Sequence, residues 1–283
     1  MPVEKVYGKL HKEKIELPGI KHLIAVASGK GGVGKSTTSV NLALALHSMN
    51  LKVAIFDSDI YGPSVPRMMN LKGKPQLLPN KSIKPMENFG IKCMSMGLFV
   101  GEDDPVIWRG PMIMGAIQQM LKDVEWGDLD VMIIDLPPGT GDAQLTLSQS
   151  VQLTGAIIVS TPQDIALIDA RKGLRMFQKV NVPVLGIIEN MSYFEAPDTG
   201  KKYFIFGDGG AKREAEKIGV DLLGQIPLDI LIREKSDEGN PIYAFDKDHP
   251  QSKIYGDIAK KNLEKNRQKS WLNIKKFLLF LES

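Results

Sequence analysis

Residues 29–37 carry the clearest chemical signal in the chain. Positions 29–36 satisfy the pattern G-x-x-x-x-G-K-[ST], in which a glycine-rich loop surrounds a phosphate group with backbone N–H groups. In such a loop Lys35 would neutralise the β- and γ-phosphates, and the Ser36 hydroxyl would contact Mg²⁺. The predicted phosphate-binding residues are Gly29, Lys30, Gly31, Gly32, Val33, Gly34, Lys35, Ser36 and Thr37.

The segments that flank this loop fit a role in phosphate binding. Residues 23–27 are apolar and β-branched, which predicts a buried parallel strand, and residues 38–49 have the apolar density of a helix packed on a sheet. The order strand, loop, helix points a helix N-terminus at a single anion. A glycine-rich turn without a ligand is the alternative, and the flanking elements disfavour it.

A second lysine, Lys30, follows the first glycine, where ordinary phosphate-binding loops need none. The run G-K-G-G-V-G-K-S-T resembles the deviant Walker A motif of the MinD, ParA and nitrogenase iron protein class. That resemblance implies that Lys30 crosses a homodimer interface and stabilises charge on the nucleotide of the partner subunit, as an arginine finger does. The alternative is a solvated surface lysine.

Two aspartates follow the next predicted strand, residues 53–56. Carboxylates at the C-terminal end of a parallel strand lie along the crevice where α/β sheets bind ligands. The resemblance to the deviant Walker class implies that Asp59 orients the attacking water and that Asp57 supports Mg²⁺ or the loop. Both aspartates could instead cap a turn.

The apolar run 131–134 ends in Asp135, the form of a Walker B strand whose carboxylate reaches Mg²⁺. We therefore predict Ser36, Asp57 and Asp135 as the Mg²⁺ residues. The loop 136–142 is rich in glycine and proline, as expected of a switch that senses the γ-phosphate through the Gly139 N–H group.

Two residues are assigned to the base of the nucleotide. Asn190, just beyond a predicted strand at 184–188, matches the asparagine that reads the adenine edge in the deviant Walker class. Pro227 lies in the loop after another predicted strand, 222–226, and would face the same base. The nucleotide implied by this resemblance is ATP.

The fold class follows from strands that alternate with helices along the chain. This order predicts an α/β fold with a doubly wound, mainly parallel sheet covered by helices on both faces. We expect an ATPase domain at 21–266, between an N-terminal extension at 1–20 and an amphipathic tail at 267–283. Further predicted elements are a strand at 91–96, a helix through 121, a strand at 156–160, a helix at 164–180 and a helix at 228–235, with an exposed excursion at 71–90.

Composition and charge limit the class of protein and the compartment that the sequence suits. The chain has 283 residues, of which 43% are hydrophobic and 24% charged, as in a globular protein with one large core. A net charge of +3 does not predict specific nucleic-acid binding. The single cysteine, Cys93, excludes an internal disulfide framework and favours a reducing compartment, and we expect the cytoplasm.

Four motifs in order narrow the resemblance further. They are D-I-Y-G-P-S at 59–64, D-L-P-P-G-T-G-D at 135–142, S-T-P-Q-D at 160–164 and E-N-M-S at 189–192. Together they resemble the Mrp/ApbC group of ATP-binding iron-sulfur cluster carriers, over roughly residues 20–265. The resemblance implies a dimeric ATPase that hydrolyses the β–γ bond of Mg·ATP and serves iron-sulfur apoproteins or cysteine-bearing assembly proteins.

The chain departs from that group at its metal-binding turn. Members of the group carry C-P-x-C after N-M-S, so that a dimer can share a [4Fe–4S] cluster through thiolates. Here Ala196 and Thr199 occupy the cysteine positions around Pro197. Unusual cluster ligands, a cysteine-bearing partner and a role for the nucleotide switch alone all remain open.

The C-terminal residues support a different function. Several lysines and Arg267 precede an apolar helical face within 270–283 that could lie on a membrane surface, as the C-terminal helix of MinD-like positioning ATPases does. The segment is too short to span a bilayer. A terminal helix docked on its own domain or on a dimer partner is the alternative.

Overall fold

The structure is a computed structural model that describes residues 14–99 and 110–264. Most strands of this part are parallel and apolar, as expected of strands covered on both faces. They are β1 (Ile20–Ser28), β2 (Val53–Asp57), β3 (Gln76–Leu77), β4 (Ile83–Lys84), β5 (Met86–Asn88), β6 (Ile91–Ser95), β7 (Leu129–Asp135), β8 (Gly155–Ser160), β9 (Val184–Glu195), β10 (Lys202–Tyr203) and β11 (Leu222–Leu228).

One nine-stranded sheet of the described residues has the order β10-β9-β8-β1-β7-β2-β6-β5, with β11 also paired to β9. Strands β5 and β10 join it antiparallel at its edges, and the other pairs are parallel. Strand β1 lies centrally between β7 and β8. The loop that follows β1 therefore emerges at the middle of the sheet, where ligands of α/β folds bind.

Helices connect the parallel strands and cover both faces of the sheet. They are α1 (Lys35–His47), α2 (Val65–Met68), α3 (Gly110–Asp123), α4 (Asp142–Ser150), α5 (Asp164–Lys179), α6 (Gly210–Ile218), α7 (Ile230–Asp237), α8 (Ile242–Phe245) and α9 (250–264).

The core forms two main layers because successive side chains of a strand point to opposite faces. Ile24 and Val26 of β1 pack in the layer that contains α1, α8 and α9. Leu23 and Ala25 of the same strand pack in the layer that contains α3. Helix α1 is buried over most of its length, so the position of the loop before it is fixed by the core.

The predicted fold class is confirmed: the sheet is mainly parallel and doubly wound. The excursion at 71–90 has no buried residue, as expected of an exposed segment, and it contains the short strands β3, β4 and β5. Strand β9 extends seven residues past its predicted end at Ile188 and includes Asn190, which the sequence had placed beyond the strand. The later half of β9 is held as a strand because it pairs with β11 and β10.

Candidate functional site

The phosphate-binding loop connects β1 to α1, and its backbone takes conformations that glycine favours. Gly32 and Gly34 have φ values of +77° and +80°, in the left-handed region that other residues enter only with strain. Gly34 is the N-cap of α1, and the helix starts at Lys35. The N-terminus of α1 therefore faces the loop, as an anion site requires.

Two loop glycines are also required by their neighbours. A Cβ atom on Gly29 would lie 2.3 Å from the carbonyl carbon of Asp169, in the backbone of α5. A Cβ atom on Gly34 would lie 2.1 Å from Nδ2 of Asn190. At Gly29 the obstacle is helix backbone, so packing excludes a side chain independently of any phosphate. At Gly34 a side chain would displace the Asn190 amide and strain a backbone with positive φ.

Lys35, Ser36 and Asp135 meet at the end of β7. The Lys35 Nζ atom lies 2.7 Å from Oδ2 of Asp135, and the Ser36 hydroxyl donates to the same oxygen at 2.5 Å. Asp135 is fully buried and Lys35 is 6% exposed, so the ion pair is shielded from solvent. On the other side, Ser39 donates to Oδ1 of Asp135 at 2.6 Å. The oxygens of Ser36 and Asp135 are hard donors of the kind that Mg²⁺ prefers, and they fit this ion.

Asp57 lies beside this group but behind the binding cleft. It pairs in register with Asp135 on the neighbouring strand and is fully buried. Its carboxylate accepts hydrogen bonds from the backbone of Asp59 at 3.0 Å and Val65 at 3.3 Å, and from Ser95 Oγ at 3.1 Å. Burial, and next the charge of Asp135, raise the pKa of Asp57 to about 7. Of its two predicted roles, this arrangement favours support of the loop over contact with the metal.

Asp59 reaches the cleft itself. The whole Asp59 residue is 9% exposed, and its Oδ1 atom accepts a hydrogen bond from the Gly62 backbone N–H group at 3.3 Å. Burial is the largest influence on this carboxyl group and raises its pKa. A carboxylate with a raised pKa accepts a proton more readily, which suits a residue that positions water.

The cleft above the loop has a volume of about 540 Å³, within the usual range for small-molecule sites. The structure brings together around it most of the residues that the sequence assigned to the nucleotide. Those that line it are Gly31, Gly32, Gly34, Lys35, Ser36, Thr37, Asp59, Asn190 and Pro227.

Other assigned residues lie outside the cleft wall. Gly29 and Val33 belong to the loop without lining the cleft. The Gly139 N–H group donates to the Ser28 carbonyl at 3.0 Å, so its predicted bond to a γ-phosphate requires the switch loop to move.

The Lys30 side chain is half-buried, does not line its own cleft, and has no hydrogen-bond partner among the described residues.

Asn190 is anchored to the phosphate-binding loop. Its Nδ2 atom donates to the Val33 carbonyl at 2.8 Å, and the side chain is 8% exposed. The next residue, Met191, has a φ value of +54°, which is uncommon for a residue with a side chain. Strand β9 is therefore bent at the point where it meets the cleft.

Sequence reasoning missed several residues of the site. Ser39 lies four positions after Lys35 on the same face of α1, and this spacing could have indicated its contact with Asp135. Gln144 donates to the Ser28 and Pro137 carbonyls and so connects the switch loop to β1. Arg67 and Arg233 line the cleft from α2 and α7, and no local pattern indicated either.

The turn between β9 and β10 does not fit an iron-sulfur cluster. Ala196 has no donor atom, and the exposed Thr199 offers only a hydroxyl group, whereas clusters are held by thiolates. Cys93 lies on β6, is fully buried, and has a pKa raised by that burial. The described residues contain no group of three or more His, Cys, Asp or Glu that could hold a metal ion.

The fold, the loop and the Lys35–Ser36–Asp135 group define a nucleotide-binding P-loop NTPase. The chain matches over residues 19–263 the ParA family described as "NUBPL iron-transfer P-loop NTPase", and it belongs to that family. It is 55% identical over 87% of its length to "Iron-sulfur protein required for NADH dehydrogenase, mitochondrial" of Arabidopsis thaliana, covering 79% of that protein. It is 54% identical to "Iron-sulfur cluster transfer protein NUBPL" of Dictyostelium discoideum, with coverage of 87% and 77%.

Solved structures agree with this assignment. A nucleotide-binding protein from Archaeoglobus fulgidus in complex with ADP is 40% identical, with a TM-score of 0.70 and coverage of 78% of this chain and 88% of that one. The MinD cell division ATPase of Pyrococcus furiosus shares the fold at 21% identity, with a TM-score of 0.61 and coverage of 86% and 98%.

The comparisons favour the iron-sulfur interpretation over the MinD-like one. The relatives that share half of their residues with this chain are named for iron-sulfur proteins, whereas the MinD likeness shows the fold alone. The segment 270–283, on which the membrane alternative depends, lies outside the described residues. None of the helices within 14–99 and 110–264 is long and apolar enough to cross a membrane.

Proposed function

We propose that this chain hydrolyses Mg·ATP as a homodimer and that hydrolysis drives a switch that serves iron-sulfur cluster transfer to apoproteins. The observation that carries the proposal is the buried group of Lys35, Ser36 and Asp135 at the base of the cleft. The ADP bound by the Archaeoglobus relative and the family of the chain support it.

The residues assigned to the phosphates, the metal and the attacking water have distinct roles in this reaction. Lys35 would neutralise the β- and γ-phosphates, and Asp59 would hold the attacking water in line with the bond that breaks. Ser36 and Asp135 would hold Mg²⁺, which neutralises charge on the phosphates when it is bound. Lys30 would act in the cleft of the partner subunit, since it does not line its own.

On the base side, Asn190 would read the adenine edge, and Pro227 would face the same ring. Both line the cleft, and Asn190 is held in place by its bond to the Val33 carbonyl. Gly139 would bond the γ-phosphate after the switch loop leaves the Ser28 carbonyl. Loss of that bond after hydrolysis would return the loop to the position seen in this structure.

The proposal extends to the boundaries and the location of the protein. We assign the ATPase unit to residues 21–266, supported by the common sheet and core of the described part. The C-terminal tail would be accessory to it, whereas the N-terminal extension contributes Ile15, which packs in the core and pairs with Val151. A reducing compartment, the cytoplasm, suits the free buried thiol of Cys93.

The first test is hydrolysis by the Lys35→Ala variant. Loss of this ammonium removes the main cation at the phosphates, so turnover should fall by at least about 10²–10³. Phosphate release from purified protein with Mg·ATP gives the rate, and calorimetry gives the affinity. Undiminished turnover would remove the P-loop from the mechanism.

Lys35→Ala also leaves the Asp135 carboxylate buried without its cation, which costs about 3–5 kcal/mol of stability. Asp59→Asn is the matched variant, because it leaves this ion pair intact. It should bind Mg·ATP with nearly unchanged affinity while turnover falls. Exposed Lys172, replaced by Ala, serves as the control for loss of a lysine away from the cleft.

A further inference from the structure

The turn that joins β9 to β10 is complete without a metal. Ala196 donates its N–H to the Lys201 carbonyl at 3.0 Å, and Gly200 donates to the Ala196 carbonyl at 2.8 Å. Gly200 has a φ value of +65°, which suits the left-handed position of a tight turn. Backbone hydrogen bonds therefore close this turn, and no ligand is needed to hold its shape.

No side chain within the turn itself replaces the missing thiolates. The Thr199 Oγ1 atom accepts from the Lys201 backbone at 3.4 Å, and Glu195 faces Lys202, with 3.9 Å between their charged atoms. Clusters of this kind are held by cysteine, and in some centres partly by histidine. Neither residue type occurs between Glu195 and Lys202. His249 lines a cavity with the turn, but it offers a single ring nitrogen per subunit in place of two thiolates.

Cys93 cannot take their place. Its sulfur lies inside the sheet with no exposed surface and is 3.6 Å from the Ile91 carbonyl, to which it donates. The thiolate is the form that binds metal, and burial in apolar surroundings disfavours it. A dimer of this chain would contain two such sulfurs and no accessible thiol.

The turn nevertheless keeps its connection to the nucleotide. Strand β9 carries Asn190, which bonds the phosphate-binding loop, and ends at Glu195, directly before the turn. A movement of the loop during the ATP cycle would therefore reach the turn through one continuous strand. The coupling element is present, although its metal ligands are absent.

We propose that this chain has retained the nucleotide switch and lost cluster ligation, so that every thiolate ligand of a transferred cluster comes from a cysteine-bearing partner protein. The inference rests on the proposed function, because it assigns the place of the cluster in that function. Iron and sulfide would then be bound beside this chain and not by it.

Anaerobic reconstitution with ferrous iron and sulfide tests the proposal. The unmodified protein, desalted after reconstitution, should retain almost no iron or acid-labile sulfide. The double variant Ala196→Cys/Thr199→Cys should gain a coloured cluster with about four irons per dimer, because two thiolates from each subunit then converge. The matched control is Ala196→Ser/Thr199→Ser, which changes the same positions without thiolates and should stay colourless.

Two outcomes would overturn the inference. One is stoichiometric iron and sulfide on the unmodified protein. The other is a double cysteine variant that binds Mg·ATP normally and remains colourless, since the turn would then not be a ligand position. Both substitutions lie in a turn that is closed by backbone hydrogen bonds and does not depend on the replaced side chains, so we expect the variants to fold.

Nucleotide binding measured on the same samples separates this inference from the proposed function. If none of the folded proteins binds Mg·ATP, the proposed function fails. If all bind Mg·ATP and the unmodified protein holds a cluster, only the present inference fails. Replacing Cys93 by Ala would then show whether the buried thiol is a ligand.

Discussion

Asp57 and Asp135 are two carboxylates at the same level of neighbouring parallel strands, and both are fully buried. Lys35 lines the cleft, and its ammonium group forms an ion pair with Asp135 and also donates to the Ser36 hydroxyl. Burial raises the pKa of the Asp57 carboxyl group. Its hydrogen bond with the Asp59 backbone also helps to position the loop that carries Asp59. This geometry favours the protonated form of Asp57 at pH values below about 7.

The raised pKa of Asp57 gives a prediction on stability. Between its ordinary value of 3.8 and about 7, the folded state binds a proton that the unfolded state releases. The contribution of Asp57 to the free energy of unfolding should therefore fall as pH rises through this window, by on the order of 1.4 kcal/mol per pH unit. Asp57→Asn removes the titration, so the variant should gain stability relative to the unmodified protein as pH rises.

Urea denaturation of both proteins at about pH 5 and about pH 7.5 measures this difference. The introduced asparagine side chain would keep the Asp59 backbone bond through its oxygen and turn its amide toward Ser95, at the expense of the long Val65 bond. That loss is the same at both pH values and does not affect the comparison. Parallel pH profiles would contradict the prediction.

At the residue scale the sequence predicted the types of groups well and their contacts less well. The motif identified Lys35 and Ser36, and the end of an apolar run identified Asp135, because both signals are local. The sequence could not show that Asp57 lies behind the cleft, because its position is set by hydrogen bonds from Val65 and Ser95, which belong to other elements.

Among the elements, the first turn of the phosphate-binding loop is fitted against α5. Gly29 contacts the backbone of Asp169, which cannot move without displacing the helix. We predict that Gly29→Ala lowers the free energy of unfolding by about 1–3 kcal/mol, as overpacking does. Gly31→Ala is the matched control, because its Cβ atom would meet nothing closer than 3.9 Å.

Chemical denaturation without nucleotide measures both variants, so that changes in phosphate binding do not contribute. Equal stability of the two variants would show that α5 yields at this contact. In that case Gly29 would be required by the phosphate and not by packing.

Elements buried on both faces and amphipathic ones such as α5 could be predicted from the sequence, and largely polar ones less so. Strands β1, β2, β7 and β8 follow from apolar runs that need no tertiary information. Helix α4, with the sequence DAQLTLSQS, is largely polar, and its apolar contacts come from packing on α3 and α5. The end of β9 was misjudged because its polar residues are stabilised by partners from distant parts of the chain. Glu189 accepts from the Ala211 backbone and from Gln225, as well as from Ser192 of its own strand.

At the scale of the whole molecule, the sheet gathers the reactive groups at the C-terminal ends of its strands but leaves the Lys30 cation outside its own cleft. Strands β1, β2 and β7 are parallel neighbours, so their C-terminal ends place the loop, the aspartates and Asp135 together. Lys30 is the exception, because it belongs to the loop but does not line the cleft of its own chain. A cation supplied by a second copy would complete each cleft and make hydrolysis depend on dimerisation.

Mixing two inactive variants tests this arrangement. Lys30→Ala should bind Mg·ATP normally and lose about 10³–10⁵ in turnover, whereas Asp59→Asn has a defective cleft and an intact Lys30. In a mixed dimer, the cleft of the Lys30→Ala chain receives Lys30 from its partner and becomes complete. With equal amounts and free exchange, about half of the dimers are mixed and each has one working site, so phosphate release should recover to about a quarter of the unmodified rate. If Lys30 acts within its own chain, no cleft in the mixture is complete, and the rate should stay at the sum of the two separate variants.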